Sequence, residues 1–255
     1  MDTNQVSALS KVPAVTLGFW IIKILATTLG ETGGDAMSMS MGLGYLMSTG
    51  IFMVAFVAAV MAQIAADRYR PWLYWTTIIA STTVGTTLAD FADRSLGIGY
   101  LGGSVLLLGL LLTSLFVWHR TLGSVDVNTV STPKSEFFYW LTIMFSQTLG
   151  TALGDWTADS AGLGYGGAAL VFGGLLLLVV GAYLWTRVSH TLLFWAAFIL
   201  TRPLGAVVGD FLDKPVAQGG MALSRYTATA VLLALIVIGI ALQARRAALA
   251  QNRAA

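Results

Sequence analysis

TTLGETGGDAMSMSMGLGY, residues 27–45, returns three more times along the chain, as TTVGTTLADFADRSLGIGY at 82–100, QTLGTALGDWTADSAGLGY at 147–165 and RPLGAVVGDFLDKPVAQGG at 202–220. The four copies align without a gap. A Trp precedes each at a constant distance, Trp20 before Gly30, Trp75 before Gly85, Trp140 before Gly150 and Trp195 before Gly205, and an Asp follows that Gly by five residues, at Asp35, Asp90, Asp155 and Asp210. Self-similarity of this kind marks a chain built from copies of one supersecondary unit, so the repeat decides the architecture.

Each copy holds two apolar stretches, one running into the Gly-Asp motif and one beginning just after Gly-Leu-Gly-Tyr. The predicted helices are 13–35, 45–66, 71–93, 100–119, 136–158, 165–187, 191–212 and 223–245, each near the ~20 residues that a bilayer requires. They occupy most of the 255 residues. The predicted fold is therefore an all-α membrane protein, one membrane domain over 1–255, with eight transmembrane helices from four tandem two-helix repeats at 12–66, 67–131, 132–187 and 188–246. The copies are spaced 55, 65 and 55 residues apart, the extra ten lying in the polar connector 121–134, so the chain divides into two halves of two repeats. Because each repeat crosses twice, all four share one orientation and can be related by rotation about the membrane normal, unlike inverted repeats.

Composition agrees. With 56% hydrophobic and 10% charged residues, against roughly 25% charged in soluble domains, the chain is neither a conventional soluble enzyme nor disordered. The 14 basic residues form no Lys/Arg-rich run, which argues against a nucleic-acid partner. The absence of Cys removes disulfides, thiolate metal sites and iron–sulfur clusters. No Gly-x-Ser-x-Gly, His-Glu-x-x-His or Walker motif marks a nucleophile or a phosphate site, so an enzyme is not expected. The polar start MDTNQVSALSK leads into an apolar stretch from Val12 that contains Lys23 and lacks a small-residue cleavage site, which reads as a first membrane helix, with a cleaved signal peptide as the alternative.

Lys11, Arg68, Arg70, Arg120, Lys134, Arg187, Arg245, Arg246 and Arg253 fall in connectors and termini on one side, and Arg94, Lys214 and Arg225 on the other. The positive-inside bias places both termini in the cytoplasm and the Gly-Asp motifs toward the outer face.

The repeated motif and its Trp20, Trp75, Trp140 and Trp195 resemble a family of bacterial integral membrane proteins made of four tandem two-helix repeats with a marked Trp, a repeat of unknown function. The resemblance covers nearly the whole chain. It implies the architecture and a bacterial inner membrane, and it supplies no activity. Repeat four departs from the pattern, with Pro203 and with Gln218-Gly219-Gly220 in place of Gly-Leu-Gly-Tyr, so its second half is expected to be shaped differently.

The pairs Gly30/Gly34, Gly85/Ala89, Gly150/Gly154 and Gly205/Gly209 share one helix face and let backbones approach closely. They predict that the first helix of each repeat packs at the bundle centre. The acids carry more chemistry. Glu31 with Asp35, Asp90 with Asp93, Asp155 with Asp159 and Asp210 with Asp213 stand three or four apart, on one side if the helix continues through them. Fifteen residues from Trp to Asp make about 22 Å of helix, placing the Asp row near the outer end of the span. Clustered carboxylates suit a hard divalent cation such as Mn²⁺, Mg²⁺ or Ca²⁺, and intramembrane acids mark ion or proton pathways. The opposing reading is structural, each Asp capping its connector or pairing with Arg94, Lys214 or Arg225.

Residues that break the symmetry suggest a gate. Lys23, Thr27 and Glu31 are spaced by four on one face, and the Thr27 position becomes Thr82, Gln147 and Arg202 in the other repeats. We expect Glu31 to pair with Arg202 or Lys23 inside the bundle. His119 and His190 read as surface residues, the Trp row as interfacial belt or packing, and the Met-rich AMSMSMG (36–42) as an apolar loop. Taken together, the sequence predicts a transporter or channel for a small cation or proton, with Asp35, Asp90, Asp155 and Asp210 as metal ligands, Glu31, Asp93, Asp159 and Asp213 as secondary ligands, and Lys23, Glu31, Gln147 and Arg202 as a gating group. The alternative is a non-catalytic membrane subunit that binds lipid, quinone or a partner protein. The bilayer is the expected surrounding, and a homo-oligomer is compatible with the pattern.

Overall fold

The computed structural model describes residues 10–254, with side chains through Arg245. The first nine residues, and the side chains of Arg246 and Arg253 counted in the charge asymmetry, lie outside the described residues. Among the described residues there are eight long helices and no strand: α1 Leu17–Asp35, α2 Gly44–Ala65, α3 Pro71–Asp90, α4 Tyr100–Leu122, α5 Pro133–Asp155, α6 Gly164–Trp185, α7 His190–Asp213 and α8 Arg225–Ala254.

The starts follow local chemistry. Thr16 caps α1 by accepting from the Phe19 amide, Thr132 and Ser135 form a capping box on α5, and Pro71 and Pro133 occupy the first turns of α3 and α5, where a missing N–H is harmless. The ends depart from the expected helices. In repeats one to three the α-helix stops at the motif Asp and widens into a π turn, Ala36–Ser40, Phe91–Ser95 and Trp156–Ser160. Its wide hydrogen bonds run from Met41 N–H to Ala36 O, Leu96 N–H to Phe91 O and Ala161 N–H to Trp156 O, at 2.9, 3.0 and 2.8 Å. The two glycines that follow each turn all have positive φ, for example 71° at Gly42 and 72° at Gly44, which explains the repeated Gly-x-Gly. Repeat four differs. There α7 stays α-helical through Asp213, and Pro215 holds Lys214 extended (φ −71°, ψ 153°) before a short 3₁₀ turn, Val216–Gln218.

The first helices of the four repeats form a closed ring: α1 packs against α3 and α7, and α5 against the same two. Each second helix covers the ring helix of the following repeat, α2 on α3, α4 on α5, α6 on α7 and, closing the circle across the ends of the chain, α8 on α1. Five helices, α2, α4, α6, α7 and residues 225–245 of α8, are long and apolar enough to cross a membrane. The peripheral helices expose Leu46, Val54, Leu106, Phe116, Leu170, Leu177, Ile238 and Leu242, an apolar exterior suited to lipid. The ring helices α1, α3 and α5 are less apolar because they bury threonines and charges, which membrane helices tolerate where protein encloses them.

Glycine sets the ring's diameter. A methyl on Gly30 would lie 2.5 Å from Thr82, one on Gly85 2.8 Å from the Gln147 backbone, one on Gly150 2.2 Å from Arg202 and one on Gly205 2.1 Å from Thr27. Each glycine thus receives the residue of the next repeat three positions before that repeat's own glycine, and the fourth seam returns to the first repeat. The ring helices are consequently parallel and in register.

At the Trp end the ring is filled. Trp75, Trp140 and Trp195 are at most 4% exposed and pack with Phe19, Tyr74, Tyr139, Phe194 and Phe198. The Tyr74 and Tyr139 hydroxyls are hydrogen-bonded at 2.6 Å. Trp75, Trp140 and Trp195 are therefore core packing and not an interfacial belt, while Trp20 is half-buried against that core. Lys11 also departs from its expected place in solvent. Its ammonium pairs with Glu136 at 2.6 Å and donates to the Ile64 carbonyl at 3.1 Å, satisfying the C-terminal end of α2 and tying it to the start of α5.

Gly85→Ala should destabilise the protein by about 1–3 kcal/mol, the usual cost of overpacking, because the obstacle is backbone. Gly109→Ala on α4, where a methyl would meet nothing within 4 Å, should leave Tm unchanged or slightly raised. Thermal unfolding of both variants in detergent checks the contrast.

Candidate functional site

The ring's register stacks equivalent residues into layers along one axis. Three positions beyond the Trp come Lys23, Ile78, Ile143 and Phe198, all buried. The Lys23 ammonium lies 4.1 Å from the Phe198 ring centroid and has no hydrogen-bond partner among the described residues. One turn further stand Thr27, Thr82, Gln147 and Arg202, each 0% exposed. The Thr27 hydroxyl donates to the Thr201 carbonyl at 3.2 Å, and the Gln147 amide to Ser81 at 3.5 Å.

Arg202 reaches into the next layer. Its Nη2 lies 3.1 Å from Glu31 Oε2 and 2.6 Å from Thr86 Oγ1, and it also meets the Thr151 hydroxyl. Thr86 in turn donates to Glu31 at 3.2 Å. Glu31, Thr86 and Thr151 occupy equivalent positions of repeats one to three, so one arginine from repeat four gathers the other three. Of the two partners considered for Glu31, the structure pairs it with Arg202; Lys23 stays in the apolar layer beneath. Thr86 and Thr151 were not singled out in the sequence, although the alignment sets both at the Glu31 position.

The last layer holds Asp35, Asp90, Asp155 and Asp210, all 0–3% exposed. Two basic side chains bridge it. Arg94 lies 2.7 Å from Asp90 and 3.4 Å from Asp155, while Lys214 contacts Asp35 at 2.5 Å and Asp210 at 3.0 Å. Each is the fourth residue after the Asp of an even-numbered repeat, and each joins that Asp to the Asp of the next repeat. Met39 and Asp159 occupy the same position in the odd repeats, so the fourfold ring carries a twofold pattern of charge. Arg225 adds contacts of 2.9 Å to Asp213 and 3.7 Å to Asp35.

The eight acids do not all converge. Carboxylate oxygens of Glu31, Asp35 and Asp90 lie within 4.8 Å of one another, as do those of Asp35, Asp210 and Asp213. Asp155 joins neither group, so the structure brings the acids together as two overlapping triads that share Asp35 and not as one group of the four motif Asp residues. Asp93 and Asp159 also stay out. The expectation that they share a face with Asp90 and Asp155 required a continuous α-helix, and the π turn rotates them away. Asp93 abuts Gly103 at the start of α4, and Asp159 is exposed. Asp213 joins because α7 has no such turn. Oxygen-only triads have the donor chemistry that hard cations prefer. Above them lies a polar pocket of about 560 Å³, lined by Arg94, Asp159, Tyr165, Lys214 and Gln218 among others.

Arg202→Gln should destabilise the protein by about 3–5 kcal/mol, because it leaves Glu31 buried without its partner. Adding Glu31→Gln should recover most of that loss. Unfolding of the two variants and wild type measures the coupling.

Neither a curated protein nor a solved structure is significantly similar to the chain. A family model described as Repeat of Unknown Function (DUF347) matches residues 18–69, 73–124, 138–189 and 193–248. Each match encloses one member of the Trp20, Trp75, Trp140 and Trp195 row with its motif Asp, and together they span most of the described residues, so the chain belongs to the Repeat of Unknown Function (DUF347) family.

Proposed function

We propose that this protein carries a small cation, foremost a divalent metal ion, across the bacterial inner membrane, with all eight helices crossing, the repeats related about the membrane normal and both termini cytoplasmic. The observation that carries the reading is a charge imbalance at the Asp end of the axis, beyond the apolar layer that holds Lys23. Glu31, Asp35, Asp90, Asp155, Asp210 and Asp213 are buried and face four basic side chains, Arg94, Arg202, Lys214 and Arg225. An uncompensated buried charge costs several kcal/mol. Two bound protons or one divalent cation would balance the group.

The polar pocket at the Asp end gives a route in, and the aromatic packing at the Trp end blocks a continuous pore. That combination suits a carrier that opens to one side at a time. The Arg202–Glu31 pair, with Gln147 and Lys23 beneath it, separates the two ends and is the element whose rearrangement would pass the ion onward.

One observation favours the competing reading of a lipid or quinone binder. A largely apolar cleft of about 830 Å³ lies toward the Trp end among α1, α6 and α7, with Trp20, Ile24, Leu176 and Phe194 in its walls and Tyr183 and His190 toward its polar part. Its size and lining suit a hydrophobic ligand. Mass spectrometry of gently purified protein distinguishes the readings: a stoichiometric lipid or quinone, together with no ion flux, favours the binder.

Flux of Mn²⁺, Mg²⁺, Ca²⁺ and protons into proteoliposomes tests the carrier. Asp90→Asn and Asp155→Asn should each lower flux about tenfold or more, since each leaves Arg94 with one carboxylate partner and alters the axis charge. Unaltered flux in both folded variants would end the carboxylate reading.

A further inference from the structure

We infer that Lys214 is an exchangeable occupant of a divalent-cation site formed by Asp35, Asp210 and Asp213, so that the chain holds its own competitor for the ion. The inference rests on the cation reading above and deepens it by naming the site and its regulation.

Four observations support it. The three residues are 0%, 2% and 7% exposed, and one oxygen from each lies within 4.8 Å of the others. The ammonium of Lys214 donates to Asp35 Oδ2 and lies 3.0 Å from Asp210 Oδ1 as an ion pair, standing where a cation would stand, yet it leaves the group incompletely satisfied. Asp35 Oδ1, Asp210 Oδ1 and Asp213 Oδ1 are buried and accept no hydrogen bond among the described residues. Charge also favours a divalent ion. Three carboxylates facing Lys214 and Arg225 keep one net negative charge, whereas a divalent cation in place of the ammonium, with Arg225 retained, leaves the group neutral.

The lysine can leave without unfolding its surroundings. Its backbone is fixed, since its N–H bonds the Asp210 carbonyl at 2.8 Å and its carbonyl accepts from Ala222 at 2.9 Å. Its side chain lines the polar pocket of about 560 Å³, where exposed Asp159 and Gln218 can receive the ammonium. A lysine is suited to this exchange because it presents a compact point charge on a flexible stem. Arg94 is less so, for its planar guanidinium bridges two Asp residues that share no triad.

The test uses wild-type protein in detergent with Mn²⁺ as probe. Amine acylation, mapped by mass spectrometry, should rise several-fold at Lys214 when Mn²⁺ binds and stay constant at exposed Lys134. Calorimetry on Lys214→Met should show Mn²⁺ binding about tenfold tighter than wild type, because removing a competing state removes its share of the apparent dissociation constant. Mn²⁺ binding with unchanged Lys214 labelling overturns the inference and leaves the cation reading standing. If neither protein binds Mn²⁺, both fail. Binding by Lys214→Met alone supports the inference. If that variant does not fold, labelling of the wild type decides.

Discussion

Where the four first helices meet, a glycine on one helix takes up the side chain of the next, and the placement of everything inside the ring depends on that approach. Thr27 against Gly205 closes a cycle that runs through Gly30 with Thr82, Gly85 with Gln147 and Gly150 with Arg202. In a bilayer no hydrophobic force drives helices together, so such close contact is what association can use. A bulkier residue at any seam would spread the helices and separate the carboxylates at the Asp end, because those are carried on the same rigid elements one and a half turns further on. The peripheral helices follow from the ring, each lying over the ring helix of the next repeat.

The ring gathers charge that a single helix could not keep in lipid. Lys23, Glu31 and Asp35 are less than 3% exposed, and each would be costly on an isolated membrane helix. Their environment is instead a protein interior, where Glu31 and Asp35 find partners from repeats two and four. Duplication alone would make the four repeats equal. Arg202, Arg94 and Lys214 make them unequal, the first joining Glu31 to the threonines of repeats two and three, the other two dividing the Asp ring into the pairs Asp90/Asp155 and Asp35/Asp210. The pairing of the motif Asp residues with Arg94, Lys214 and Arg225 is the one that the structural reading of the Asp row names. Here each bridging base joins neighbouring repeats.

Much of this was legible in the sequence. The constant spacing from Trp to Gly to Asp fixes repeats, register and the polar row, and small residues four apart point to central packing. The hydrogen-bond pattern of the π turns left no comparable sign, so Asp93 and Asp159 looked equivalent to Asp213 although only Asp213 follows an unbroken α-helix. The staggered pairing of second helices with the next repeat is equally silent, because a two-helix repeat reads the same whether its helices pack on each other or on neighbours. Arg94 and Lys214 did carry a signal, a base four residues after Asp in alternate repeats. Their role as bridges needed the ring to be closed in space. Lys11 and Glu136 are 125 residues apart, and nothing local joins them.

The first helices close into a ring at the seam of α7 with α1, and the outer layer closes over that seam where the last helix, α8, lies on α1. The Thr229 hydroxyl on α8 lies 3.0 Å from that of Thr32 on α1, and the chain has no Cys, so the double substitution Thr32→Cys and Thr229→Cys reports this contact alone. After mild oxidation in native membranes and proteolytic cleavage in the connector 121–134, the two halves should stay joined until a reductant is added. Halves that separate without reductant would mean that α8 does not lie on α1 and that the two ends of the chain do not close around the carboxylates as described.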